Sequence, residues 1–132
     1  MKIILGLFFS LCFIISTQVK SLEKGTWTFV KTDEYCYIGS LATDSDLSPE
    51  KNRGDNYILV YKNIGSPDTI VQIEAGYNYK LSSDIIVTID KGIYKFYTTE
   101  DLPSASWTDE DNKVIFAMKK GLELFVKGES SR

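Results

Sequence analysis

The chain of 132 residues contains no histidine. That removes the side chain that most often serves as a general base near neutral pH, the commonest metal ligand, and the serine and cysteine triads built on an imidazole. Cysteine is nearly as scarce, with only Cys12 and Cys36, and these with scattered carboxylates make no spaced zinc motif. Positive charge is also in short supply. Lys and Arg number 15 against 18 Asp and Glu, and no basic stretch is longer than Lys119-Lys120, so the electrostatic footprint of a nucleic-acid binder is missing. Asp44, Asp46 and Glu50 lack the glycine and closing glutamate that a calcium loop places at fixed offsets. Paired carboxylates for glycoside hydrolysis leave no recognisable spacing in one sequence. No catalytic residue, cofactor site or metal site is expected.

What is present begins at the amino terminus. Met1 and Lys2 precede an uncharged apolar run from Ile3 to Ile15, and Ser16, Thr17 and Gln18 follow. The run is shorter than the roughly 20 residues that a membrane-crossing helix needs, and the profile is that of a signal peptide. Val19-Lys20-Ser21 supplies a small-x-small cleavage site, so residues 1–21 are expected to be removed and the mature domain to span 22–132. Lipidation at Cys12 is not expected, because Leu11 stands where a small residue is needed. Cleavage takes Lys2 and Lys20 and no acid, which moves the formal charge from −3 to −5. That balance disfavours nucleic acid and anionic membrane surfaces, and no stable membrane anchor is expected after cleavage. Export to the periplasm or beyond follows.

Cys36 then becomes the sole thiol, and the mature chain cannot close an internal disulfide. It reads as a small buried hydrophobe between Tyr35 and Tyr37. A reactive thiol or an intermolecular bridge is the alternative.

From Thr26 onward the apolar residues recur with a period of two, the spacing of strands with one face in a core. Seven strands are predicted, over 26–32, 34–41, 56–63, 69–76, 84–90, 93–99 and 122–127. Asn63-Ile64-Gly65-Ser66-Pro67-Asp68 and Asp90-Lys91-Gly92 mark two tight returns, with glycine expected at positive φ. The period changes once. Val114, Ile115, Met118 and Leu122 fall at helical spacing within 107–121, with Thr108 as an amino-terminal cap, Asp109-Glu110-Asp111 in the first turn and Lys119-Lys120 in the last. The expected architecture is mainly β: a single antiparallel β-sandwich-like domain of about seven strands, with one helix near the carboxyl terminus plugging an open end.

The longest irregular stretch, 43–55, ends in Arg53-Gly54-Asp55, which spells an integrin-recognition tripeptide and makes these residues candidate interaction positions. Three common turn residues ahead of a strand also explain themselves without a receptor.

Four landmarks carry a family likeness. Trp27-Thr28-Phe29 opens the first strand, Cys36-Tyr37-Ile38-Gly39-Ser40 follows, and Arg53-Gly54-Asp55-Asn56-Tyr57 enters a later one. Ala117-Met118-Lys119-Lys120-Gly121 then leads through Val126-Lys127-Gly128 to Ser130-Ser131-Arg132. In order and spacing these resemble the invasion-associated locus B family of bacterial exported proteins. The resemblance implies a non-enzymatic periplasmic or surface protein, linked in pathogenic members to host-cell entry, that acts by binding an unknown protein or envelope partner. An envelope structural or quality-control role, with no part in invasion, is the runner-up. The family pattern continues past Ser-Ser-Arg into a closing strand, so a missing last strand is expected, together with an unpaired edge or an uncovered apolar strip.

Overall fold

A computed structural model describes residues 1–5, 21–45 and 54–131. Among these residues, nine strands and one helix run in the order β1 (Lys2–Ile4), β2 (Thr28–Lys31), β3 (Tyr35–Leu41), β4 (Tyr57–Asn63), β5 (Ile70–Glu74), β6 (Ile85–Ile89), β7 (Gly92–Phe96), β8 (Ala105–Trp107), α1 (Asp111–Lys120) and β9 (Glu123–Lys127). The strands form two antiparallel sheets, one ordered β1-β9-β6-β7 and the other β2-β3-β4-β5-β8. Mainly β, sandwich-like architecture with one helix near the carboxyl terminus is therefore what the sequence folds into.

Alternation decides which side chains meet between the sheets. Register places Phe29, Ile38, Val60 and Val71 in one inward row of the larger sheet, and Ser40, Ile58, Ile73 and Ser106 in the next. Ile85, Val87, Ile89 and Leu124 face them from the smaller sheet, all buried. Val114 and Met118 of α1 join this core, while Phe116 on the opposite side of the helix is exposed. Single bridges tie the sheet edges together: Tyr97 to Trp107 on one side, Lys2 to Asp44 on the other. The sandwich is thus nearly a closed ring of strands.

Two strands were not expected. β8 is a three-residue segment whose Ala105 and Ser106 are both buried, so it shows no alternation. β1 lies inside the stretch read as a leader. It pairs with the outer edge of β9, Lys2 opposite Phe125 and Ile4 opposite Glu123, and Ile3 and Leu5 are buried. Such burial is worth about 1.5–3 kcal/mol per side chain. Beyond β9 the chain pairs with residues 78–80, through Lys80 N–H to the Glu129 carbonyl at 2.8 Å and Ser131 N–H to the Asn78 carbonyl at 2.8 Å.

The helix starts later than predicted, because Trp107 exchanges both backbone hydrogen bonds with Tyr97 and is held extended. Thr108 does not supply the cap at the first turn. Its hydroxyl accepts from the Glu110 N–H at 3.2 Å and donates to the Lys95 carbonyl at 3.0 Å, and the capping residue Glu110 makes no side-chain cap bond. The acidic trio disperses to separate tasks. Asp109 accepts from the Tyr97 hydroxyl at 3.3 Å, Glu110 pairs with Lys113 at 2.7 Å, and Asp111 accepts from the Val71 N–H of β5 at 2.8 Å. Leu122 lies outside the helix and is exposed. At the β6–β7 return, positive φ falls on Asp90 (51°) and not on Gly92, because Gly92 already pairs with Ile89. Gly65, at φ 90°, does take the predicted role in the β4–β5 return.

Candidate binding face

The side of the larger sheet turned away from the core carries the residues of interest. Period-two alternation sends Tyr35, Tyr37, Tyr57, Leu59 and Tyr61 outward from β3 and β4 wherever Ile38, Ile58 and Val60 point in. Cross-strand register then assembles Val30, Tyr37, Tyr61 and Ile70 into one outward row, and Thr28, Gly39, Leu59, Gln72 and Trp107 into the next, with Val30 and Thr28 at the β2 end buried. Leu41, Tyr57 and Glu74 make a third. Tyr35 and Tyr37 stack, with ring centroids 6.0 Å apart and 19° between planes. Tyr35 is 38 % exposed, and Tyr37, Tyr57, Tyr61 and Trp107 are half-buried.

The electrostatics suit a face that stays neutral. Partial burial, then the neighbouring Tyr35, pushes the Tyr37 hydroxyl above its ordinary value. Burial raises Tyr57 as well, followed by the negative charge of Glu74 and Asp55. These are phenol groups that remain protonated donors throughout the physiological range, with two carboxylates beside them. Gly39 gives the face a shallow floor. A β-carbon there would meet Leu59 Cδ2 at 2.7 Å and Leu22 Cδ2 at 2.8 Å, so Leu22, the expected first residue of the mature chain, lies over it.

The predicted site residues are only partly brought together. Asp55 is exposed and near enough to Tyr57 to act on its hydroxyl, and Gly54 is exposed with open space where a β-carbon would sit. Arg53 lies outside the described residues, as do Asp46 and Glu50. Cys36 is half-buried and forms no disulfide, so the fully buried reading is corrected. Its flanking tyrosines turn to the outer face, whereas Cys36 shares the opposite side of the sheet with Lys31 and Lys62. Among the described residues no three His, Cys, Asp or Glu side chains come together to hold a metal ion, and no helix is long and apolar enough to cross a membrane.

A second feature lies at the end of the β9 edge. Met1, Asn56, Tyr77, Tyr79, Lys127 and Gly128 are among the residues lining a cleft of about 180 Å³. Tyr77 and Tyr79 meet edge to face at 5.1 Å, and the Tyr77 hydroxyl donates to the Gly128 carbonyl at 3.2 Å. The Tyr79 hydroxyl, Asn56 Oδ1 and Ser106 Oγ are buried without a hydrogen-bond partner. Burial drives the Tyr79 hydroxyl far above the ordinary phenol value; Ser106 lies close enough to lower it slightly, without the geometry of a hydrogen bond.

Fold and face together define a small sandwich-like β domain with an aromatic sheet surface. No family model, curated protein or solved structure matches the chain, so no family is assigned on that ground.

Proposed function

We propose that the protein is an exported, non-enzymatic binding module of the periplasm or cell envelope, of the invasion-associated locus B type. The observation that carries this reading is the outward aromatic face of Tyr35, Tyr37, Tyr57, Tyr61 and Trp107. Tyr and Trp supply large contact area with a polar tip, and they are enriched where proteins meet proteins. The face has Glu74 and Asp55 beside Tyr57, with Lys24 bridged to Leu41 at one end of the third row, so it suits a protein partner that presents apolar side chains with a basic one toward Tyr57. The leader-like amino terminus and the negative charge of the mature chain agree with work outside the cytoplasm.

In-cell photo-crosslinking tests it. A benzophenone side chain placed at Tyr61 or Tyr37 should give one discrete adduct with an envelope protein, and the same group at Lys91, in the exposed β6–β7 return, should not. Equal labelling from all positions, or none from the face, removes the aromatic surface as the binding site.

A further inference from the structure

We propose that the strand position held by Met1–Leu5 is an acceptor slot, and that once the leader is removed it takes an extended segment of a partner protein. That segment carries apolar side chains at alternate inward positions and a basic side chain facing out. The proposal rests on the reading of residues 1–21 as a cleaved leader.

The slot is bounded by backbone on both sides. On one side β9 pairs with β1, and the Val126 N–H donates to the Met1 carbonyl at 3.3 Å and the Leu5 N–H to the Leu122 carbonyl at 3.2 Å. On the other, the Lys2 N–H donates to the Asp44 carbonyl at 3.1 Å and the Thr43 N–H to the Lys2 carbonyl at 2.6 Å. The Trp27 indole donates to the Ile4 carbonyl at 2.9 Å. Cleavage after Ser21 removes the occupant and leaves this ring of strands open at one position, with unpaired edges that an added strand satisfies.

The present occupant shows what fits. Ile3 and Leu5 are buried, Ile4 is turned out, and the Lys2 ammonium lies 3.0 Å from the Glu123 carboxylate. A chain of net negative charge favours the same basic residue on a partner.

The slot also runs past Met1. Register sets Lys2 opposite Phe125 and therefore Met1 opposite Val126, so Lys127, the last residue of β9, lies past the end of β1. The cleft lies there, lined by Met1, Lys127 and Gly128 on the β9 side and by Asn56 across it. Asn56 is 9 % exposed, and its Oδ1 is a buried acceptor with no donor. A strand extending one or two residues beyond Met1 brings backbone N–H groups to that acceptor, which a strand starting at Met1 does not.

The test uses the mature protein recovered from the envelope fraction, its amino terminus fixed by mass. It is titrated with a peptide of residues 1–5 preceded by two serines, and with a control in which the lysine and the following isoleucine are exchanged so that the charge turns inward. The first peptide should shift the Trp27 indole resonance saturably and raise the thermal midpoint, and the control should bind at least about tenfold more weakly. Asn56→Ala should weaken the serine-extended peptide and leave the unextended one unchanged. Absence of saturable binding, equal binding of both peptides, or dimers formed through the β9 edge would overturn the slot while leaving the export reading intact. A native protein that still begins at Met1 would overturn both.

Discussion

Tyr79 shows how one atom sets a pH limit. Its side chain is fully buried, its hydroxyl has no hydrogen-bond partner, and burial holds its pKa well above the ordinary 10.0. Above that ordinary value the unfolded chain gives up the phenol proton and the folded chain keeps it. The unfolded state then binds fewer protons, so stability is fully present below pH 10 and falls as pH rises toward the raised value. Denaturation of Tyr79→Phe should show unchanged or slightly higher stability at neutral pH and a shallower alkaline decline. A loss of about 1 kcal/mol or more at neutral pH would mean that the hydroxyl is hydrogen-bonded in solution. Gly128 is constrained by the same ring, because a β-carbon there would stand 2.5 Å from Tyr79 Cε1 and 3.3 Å from Ile85 Cγ1. Both neighbours are buried, so a shift of either disturbs the core. Gly128→Ala should cost about 1–3 kcal/mol in urea unfolding.

At the scale of the element, α1 is held by packing and by one carboxylate. Met118 is fully buried, and Met118→Ala should cost about 2–5 kcal/mol. Asp111 bonds the Val71 N–H of β5, while partial burial raises its pKa above the ordinary 3.8 despite that bond. Removing the acceptor with Asp111→Ala leaves a buried N–H unsatisfied and should cost about 1–3 kcal/mol. Asp111→Asn keeps an acceptor and removes the charge. It should lose Asp111's own contribution, a decline in stability as pH rises through the carboxylate range, so the gap between wild-type and variant thermal melts should differ between pH 3 and pH 6.

Elements differ in how plainly the sequence shows them. In Tyr57-Ile58-Leu59-Val60-Tyr61 the two tyrosines carry a polar tip on one phase of the alternation, so the strand and its inward side can be read even though Leu59 on the outward phase is apolar. The same logic points Tyr35 and Tyr37 outward, but only cross-strand register shows that they join Tyr57, Tyr61 and Trp107 on one face. β8 is too short to display a period. β1 is concealed for the opposite reason: in an uncharged, mostly apolar run from Ile3 to Ile15, hydrophobicity has no phase, and a leader and a buried strand look alike. Asn56, Tyr79 and Ser106 are invisible as a group, because their lack of partners arises only when distant segments are packed together.

For the molecule as a whole, the envelope role and the emptying of the β1 position both depend on export. The sandwich is small and acidic, and loss of residues 1–21 would make its formal charge more negative. Its first five residues nevertheless complete the ring of strands, so the precursor and the mature protein should differ in stability. The intact mass of the native protein, measured separately on cytoplasmic and periplasmic fractions, decides between them. A periplasmic species beginning at Leu22 is the predicted result, and a protein found only in the cytoplasm with Met1–Ser21 still attached would contradict it.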